Sequence, residues 1–300
     1  MVTRDDIRER LRRLGLGAGN TVVVHSSLSS FGRVEGGAAT VVDALLEVLG
    51  PDGTLIVPTF NFEPGVFDPR ETPSIVGKIT EEVRLRPNAV RSHHPTHSVA
   101  AIGRLAEAIT EGHERVDAFG RGSALFKALQ ASAKILQLGT NHTTNSMIHV
   151  AEEIFGVPYL DRQRQVGIVS ARGKVVRKWV RRPGCSQGFH VIEDTLEANN
   201  QIAETMIGNC RARLMTARAV VDAAIEALRS DPEALLCDRP DCGNCAEARA
   251  MIAALDSEKQ DNEVIEMAQD EERTIRLIEQ QLGACEIRYF EPEPGDRSPN

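Results

Sequence analysis

A histidine and two carboxylates at helical spacing are the strongest chemical signal in the sequence. His149 precedes Glu152 and Glu153 by three and four residues, so the three side chains share one face of a helix. A helix N-terminus disfavours imidazolium, whereas a nearby carboxylate favours it and fixes the ring tautomer. These opposed effects are typical of a neutral base that takes a proton from an amine. A surface histidine paired with either glutamate would show the same spacing, so the pattern alone leaves both interpretations open.

Cysteines give a second signal, which points to a metal site. Cys237, Cys242 and Cys245 lie in a short, turn-rich loop. Zinc in a closed structural site takes four such ligands, so we expect a structural zinc that joins this loop to the loop after a predicted hairpin. Unliganded cysteines are the alternative. The candidates for the fourth ligand are, in order of preference, Cys185, His190 and Cys210.

The composition restricts the partners and the compartment. The formal net charge of −8 argues against a nucleic-acid partner and suits a cationic small molecule. We find no run of 18 apolar residues, which excludes a membrane span, and the charged N-terminal helix does not resemble a signal peptide. Six cysteines in such a chain favour metal or free thiol over disulfide, and we expect a cytoplasmic protein.

Strands and helices alternate through the first half of the chain, which predicts an α/β fold with a largely parallel or mixed sheet. In such sheets ligands collect beyond the carboxyl ends of the strands. Polar clusters follow predicted strands at 25–27, 61–68 and 140–145, so we expect the site there.

The second half is predicted to contain a hairpin followed by mostly helical structure. No linker or internal repeat is evident, which favours a single domain over 1–300 with a helical extension over 230–300 that carries the cysteine loop. The predicted segments are a hairpin at 166–180, a long helix at 193–229, a charged helix at 246–281, a closing strand at 285–292 and a disordered tail at 293–300.

Four segments, in this order and spacing, resemble the signatures of the aminoglycoside 3-N-acetyltransferase family. They are TVVVHSSLSSFG through TLIVPTF (21–60), FDPRETPS (67–74), RSHHPTHSVAAIG (91–103) and GTNHTTNSMIHVAE (139–152). The resemblance covers about residues 5–230. It implies a three-layer α/β/α fold with a central mixed sheet, and transfer of an acetyl group from acetyl-CoA to the 3-amino group of an aminoglycoside or a related amine.

The resemblance also implies residue roles. His149 would be the general base, with Asn145, Ser146 and Glu152 in comparable motif positions. Asn145, which the residue pattern also makes the expected cap of a helix over 146–155, would lie near the acceptor. Asp68 would either cap its own segment, which is the preferred role, or help to hold a cationic acceptor. The residues expected at coenzyme A are His25, Ser26, Ser27, His97 and Ser98.

One departure from the family concerns the carboxylate that partners the histidine. An acidic stretch usual after the hairpin is replaced here by RRPGCSQGFHVIED (181–194), so Glu193, Asp194 or Glu152 are the candidates. Three other functions stay open: acetylation of a non-antibiotic amine, a zinc-stapled hydrolase that uses His149 with Cys185 or a serine, and a non-catalytic coenzyme A-binding module. A homodimer is possible.

Overall fold

The main sheet is built from apolar strands that alternate with helices, as the sequence predicts. The computed structural model describes residues 1–63, 65–170 and 172–261, with the backbone only for 256–261. The strands in this part of the chain are β1 (Thr21–Ser26), β2 (Thr54–Pro58), β3 (Val66–Phe67), β4 (Val90–Arg91), β5 (Val99–Gly103), β6 (Lys134–Leu138), β7 (Gln163–Val169), β8 (Val175–Arg181), β9 (Ala203–Ile207) and β10 (Cys210–Thr216). The α-helices are α1 (Arg4–Leu14), α2 (Gly37–Leu49), α3 (Lys78–Arg84), α4 (Ala106–Thr110), α5 (Ala124–Gln130), α6 (Met147–Phe155), α7 (Glu193–Ala198), α8 (Ala217–Ser230) and α9 (Gly243–Asp261).

Seven strands form a mixed sheet in the order β4–β5–β2–β1–β6–β10–β9. The central strand β1 pairs in parallel with β2 and β6, and every outer pairing is antiparallel. Because β1, β2 and β6 run in the same direction, their carboxyl ends meet at one edge of the sheet. The predicted central mixed sheet is confirmed.

Helices cover both faces of this sheet. Val22 and Val24 on β1 belong to a core cluster with side chains of α1, α2 and α3. Val23 points to the opposite face, because successive side chains of a strand alternate. On that side α5 packs on β1, while α6 and α5 pack against α8. The arrangement is the three-layer α/β/α fold that the sequence predicts.

A small second sheet contains the predicted hairpin. Strands β7 and β8 pair antiparallel, and β3 adds to β7 in parallel. The turn is closed by the N–H of Gly173, which donates to the carbonyl of Ser170 at 2.8 Å. Gly173 has φ of 72°, a backbone conformation that glycine adopts readily, and the turn lies within the hairpin predicted at 166–180.

The predicted long helix over 193–229 is wrong. The segment instead contains α7, the hairpin β9–β10 and α8. Cys210 pairs with Ile207, so Gly208 and Asn209 form a two-residue turn, for which a glycine at positive φ is typical. Pairing of β10 with β6 on one side and β9 on the other explains the strand, because this position inside the sheet buries the run 212–215 on both faces.

Three of the predicted segments extend beyond the described residues or lie outside them. The charged helix expected at 246–281 is observed as α9 from Gly243 to Asp261, and its remainder lies outside the described residues. The strand expected at 285–292 and the tail at 293–300 also lie outside them. The described residues belong to one compact unit, Met1–Glu266, and none of their helices has the length and apolar character needed to cross a membrane.

Gly208 provides a test of the corrected hairpin. Its φ is +59°, and a Cβ there would lie 2.8 Å from the Phe31 carbonyl oxygen and 2.4 Å from Val2. We expect Gly208→Ala to lower the free energy of unfolding by about 2 kcal/mol or more, because backbone strain and a steric clash add.

The matched control is Gly112→Ala. Gly112 also has positive φ (+72°), but nothing lies within 4 Å of its added Cβ. Chemical denaturation of both variants measures the difference. Equal losses of stability would contradict the close approach of the hairpin to the chain around Phe31.

Candidate active site

A cavity of about 570 Å³ opens where the parallel strands end. This volume suits a small-molecule ligand. Its floor comes from His25 and Ser26 at the end of β1, Pro58 at the end of β2, and the segment after β6 that includes Thr140 and Asn145. The clusters at 25–27 and 140–145 therefore contribute polar side chains to one cavity, and the third segment, 61–68, contributes Phe62.

His149 lines this cavity from the third position of α6. Its Nδ1 lies 2.6 Å from Oε2 of Glu152, and Oε1 of Glu152 accepts a hydrogen bond from the Tyr159 hydroxyl at 2.9 Å. An ionised carboxylate only accepts, so Nδ1 carries the proton of a neutral ring and Nε2 keeps its lone pair. No described residue forms a hydrogen bond with Nε2.

Aromatic rings fix the orientation of the imidazole. Phe119 stacks on the His149 ring with centroids 4.8 Å apart and an interplanar angle of 21°. Phe189 meets the same ring edge-on at 4.8 Å and 69°. With two aromatic rings packed against it, the imidazole has little freedom to rotate away from Glu152.

Helix α6 begins one residue later than predicted. The capping position is Ser146, whose side chain makes no capping hydrogen bond. The expected cap, Asn145, still contributes, because its Oδ1 accepts from the N–H of Met147 at 3.3 Å. Asn145 also lines the cavity, and its Nδ2 lies 3.2 Å from Nδ1 of His142.

Of the residues expected at coenzyme A, three line the cavity: His25, Ser26 and His97. Burial and the neighbouring His142 lower the pKa of His25 to about 4, so its ring is neutral at pH 7. The buried Nε2 of His25 and Oγ of Ser26 have no hydrogen-bond partner among the described residues. Such groups are costly unless a ligand or water satisfies them.

His97 adds a neutral ring to the aromatic wall. Burial lowers the pKa of His97 well below its ordinary value, and His149 contributes in the same direction. Its Nδ1 lies 2.8 Å from the Thr96 hydroxyl, and its ring packs edge-on against Phe119 and Phe60 at 5.0 and 4.8 Å.

Three other predicted site residues do not line the cavity. Ser27 contacts Ser29 through its hydroxyl at 3.1 Å. Ser98 is buried and donates to the carbonyl of Thr59 at 2.8 Å, which fixes strand β5. Asp68 accepts from the Arg70 N–H at 2.9 Å and pairs with the Arg70 guanidinium, so it caps a turn.

Glu193 does not contact His149. Its carboxylate pairs with the guanidinium of Arg213 and lies 3.1 Å from Nε2 of His142. Arg213, only 2% exposed, also donates to Oε1 of Gln137 at 3.3 Å. Of the three candidate carboxylates, Glu152 is the one that contacts His149, Glu193 belongs to a separate network under the 140–145 segment, and Asp194 is exposed.

The four predicted metal ligands lie together. The Sγ atoms of Cys185, Cys237, Cys242 and Cys245 are all within 4.8 Å of one another, whereas His190 and Cys210 are not in the group. Zinc–sulfur bonds of about 2.3 Å in a tetrahedron place sulfur atoms about 3.8 Å apart. The distance between Sγ of Cys185 and Sγ of Cys237 is 3.8 Å.

Several site residues were missed by the sequence analysis. Tyr159 lies in the turn after α6, and no sequence pattern predicts that its hydroxyl contacts Glu152. Phe119 precedes α5 in a segment without a chemical motif. Arg213 was assigned to a helix, so its burial in strand β10 could not be expected. Arg181 and Arg182 entered the sequence analysis only as part of the segment that replaces the family's acidic stretch, and not as site residues.

Comparison with known proteins places these features in a family. The sequence model described as aminoglycoside 3-N-acetyltransferase matches residues 23–229. The chain is 30% identical over 250 residues to the SPbeta prophage-derived aminoglycoside N(3')-acetyltransferase-like protein YokD of Bacillus subtilis (strain 168), covering 74% of this chain and 90% of that protein. It is also 30% identical to aminoglycoside N(3)-acetyltransferase IV from Salmonella sp, covering 74% and 86%.

Solved structures give the same result. A mutant of aminoglycoside acetyltransferase AAC(3)-IVa in complex with a gentamicin superposes with a TM-score of 0.77 at 29% identity, covering 83% of this chain and 97% of that one. The binary complex of AAC-IIIb with CoASH superposes with a TM-score of 0.69 at 26% identity, covering 76% and 96%. The resemblance seen in the sequence motifs is thereby confirmed, and the chain belongs to the aminoglycoside 3-N-acetyltransferase family.

Proposed function

We propose that this acyltransferase moves the acetyl group of acetyl-CoA directly to a primary amine, with His149 as general base. The observation that carries the proposal is the buried triad His149–Glu152–Tyr159, which presents Nε2 of the histidine to the cavity. The relatives named above make an amino group of an aminoglycoside, or of a related amino sugar, the first acceptor to assay.

The reaction needs one base and no covalent enzyme intermediate. The amine nitrogen attacks the thioester carbonyl carbon, its proton passes to Nε2 of His149, and the carbon–sulfur bond breaks. The proton on Nε2 then goes to the departing thiolate, which gives an N-acetyl product and coenzyme A. Glu152 holds the proton on Nδ1 and stabilises the imidazolium that forms, as a carboxylate does in other triads.

Acetyl-CoA fits the side of the cavity formed by the strand ends. Ser26 and His25 offer buried polar atoms without partners there, and the hydroxyls of Thr140 and Thr143 lie in the adjoining segment. Hydroxyl and N–H donors at this position would bind the pantetheine amides and the developing oxyanion.

The first test compares His149→Ala with the intact protein. We expect acetyl transfer, measured by thiol release with a panel of aminoglycosides and other amines, to fall about 10²- to 10⁴-fold, because the amine proton loses its acceptor. Calorimetric binding of coenzyme A should persist. The control is His190→Ala, since that exposed side chain does not line the cavity.

Equal rates for His149→Ala and the intact protein would remove the assignment of the base. Thiol release without any amine, together with a trappable acyl-enzyme, would support the hydrolase alternative instead. Binding of coenzyme A without turnover in any acceptor would support the binding-module alternative.

Glu153 makes the stability of the folded protein depend on pH. Burial raises the pKa of Glu153 to about 7, Arg181 opposes this shift, and Asp117 and Glu152 add to it. The folded state therefore favours the protonated carboxyl, and this stabilisation is present at low pH and lost as the pH rises through about 7.

Glu153→Gln tests this linkage. The amide stays neutral, so we expect the free energy of unfolding of the variant, relative to the intact protein, to rise by about 1 to 3 kcal/mol between pH 5 and pH 8.5. Denaturation at both pH values measures it, with Glu35→Gln, an exposed position, as the control. A relative stability that does not change with pH would contradict the raised pKa.

We also propose that the four clustered cysteines bind a structural zinc ion. The residues fit the metal, because the sulfur spacing matches a tetrahedral site and two thiols already accept backbone N–H groups: Cys245 from Cys237 at 3.3 Å, and Cys185 from Gln187 at 3.4 Å. Zinc bound by four thiolates supplies a cross-link without catalytic chemistry. It would join the start of α9 to the loop after β8, which carries cavity residues.

Elemental analysis tests the zinc site. We expect about one zinc per chain, and Cys242→Ser should lose the metal and lower Tm, because an incomplete ligand set binds zinc weakly. Cys210→Ala is the matched control, since that buried cysteine lies in β10 outside the group. Metal-free protein whose Tm does not respond to a chelator would refute the cross-link.

A further inference from the structure

The wall of the cavity opposite the strand ends is positively charged. Four arginines line it, and no aspartate or glutamate is among the described residues that line the cavity. This is unexpected for a site predicted to take a cationic acceptor, because an acidic lining is what attracts a polycation. The arginines are Arg164, Arg181, Arg182 and Arg239.

Three of these arginines form no ion pair with a carboxylate of the described residues, and one of the three, Arg239, hydrogen-bonds to the thiols of Cys242 and Cys237 instead. Arg181 pairs with Asp161 at 3.2 Å and with Asp117 at 3.5 Å. Arg164 and Arg182, in contrast, form no ion pair with any described residue. Their side chains are therefore available to a ligand, whereas the charge of Arg181 is already balanced.

The hairpin places the two unpaired guanidinium groups on one face. Gln163 pairs with Arg181, and the N–H of Arg182 donates to the carbonyl of Arg162 at 2.7 Å, which continues the same register. Arg164 and Arg182 are therefore diagonal neighbours, and diagonal pairs of long side chains on one face are within reach of each other.

The environment of Arg164 opposes its charge. The side chain is half-buried, and burial followed by the nearby charge of Arg182 lowers its pKa. Glu63 lines an adjacent cavity with Arg164 but forms no ion pair with it. A like-charged pair without a counterion is unfavourable, and a bound anion would relieve the repulsion.

We infer that Arg164 and Arg182 bind an anionic group, a phosphate or a carboxylate, on a ligand held in this cavity. The inference rests on the proposed function in assuming that the cavity holds acetyl-CoA and an amine. Guanidinium groups suit phosphates and carboxylates because their planar N–H donors match these oxygens. The anion belongs either to coenzyme A, through its phosphates, or to an acceptor that carries an acidic group beside its amine.

The two sources have different consequences for specificity. If coenzyme A supplies the anion, its phosphates neutralise the wall and a polycationic aminoglycoside remains a suitable acceptor. If the acceptor supplies it, the preferred acceptor is an amine that also bears a phosphate or carboxylate. An aminoglycoside, whose charged groups are all cationic, would then be a poor substrate.

Binding measurements test the first source. Calorimetry would compare coenzyme A, 3'-dephospho-coenzyme A and pantetheine on the intact protein, Arg164→Gln, Arg182→Gln and the double variant. Loss of charge-assisted hydrogen bonds should weaken coenzyme A about tenfold or more per arginine and leave pantetheine unchanged. The control is Arg177→Gln on the same hairpin, since Arg177 does not line the cavity.

Acceptor competition tests the second source. Glucosamine 6-phosphate and glucosamine would compete as acceptors for acetyl-CoA, and the phosphate ester should be preferred about tenfold or more by the intact protein. The double glutamine variant should lose this preference, whereas a double lysine variant, which keeps the charge, should retain part of it. Thermal unfolding of each variant checks that it is folded. If the double glutamine variant does not fold, the double lysine variant is compared with the intact protein in its place.

Either pattern supports the inference and identifies the source of the anion. The inference is overturned if the folded double variant binds coenzyme A as the intact protein does and shows the same acceptor preference. Coenzyme A binding is measured without turnover, so failure of the arginine pair remains distinguishable from failure of the proposed acetyl transfer.

Discussion

The site depends on a carboxylate that is withdrawn from water. Glu152 is 1% exposed, and a buried charge of this kind is tolerated only when hydrogen bonds replace its hydration. His149 and Tyr159 supply those bonds, one to each oxygen. The same contact that stabilises the carboxylate also orients the imidazole, with Nδ1 towards Glu152. Phe119 and Phe189 complete the arrangement by restricting the ring.

The surrounding elements serve to keep this triad at a cavity edge. Parallel pairing of β1 with β2 and β6 brings three strand ends together, and α6 follows β6 after the connecting segment 139–146. On the opposite side, the hairpin β7–β8 and the cysteine group place arginines over the cavity. One side is therefore rich in hydroxyl groups and neutral imidazoles, and the other is cationic. Two sides of different charge suit two substrates of different chemistry.

Much of the fold and part of the site could be predicted because their signals are local. Strand β1, helix α2 and the β7–β8 turn follow from short runs of apolar residues and glycine. The spacing of His149 and Glu152 implies contact within one helix turn, and the spacing of the cysteines in their loop predicts that they bind the same metal ion. The hairpin β9–β10 could not be predicted, because its strand character comes from pairing with β6 and not from its own residues.

The sequence by itself determined the family, the α/β/α class, the candidate base and three of the clustered cysteines, since each rests on motifs or on spacing within a few residues. The structure selected Cys185 as the fourth member of the cysteine group, because the fold brings it beside the other three. Only the tertiary structure decided which carboxylate contacts His149, because Glu152 and Glu193 differ in what the fold packs beside them. It also decided that Asp68, Ser27 and Ser98 lie outside the cavity, and that Arg164 and Arg182 lie in its wall without a counterion among the described residues. Those outcomes depend on contacts between residues far apart in the chain, which no local pattern encodes.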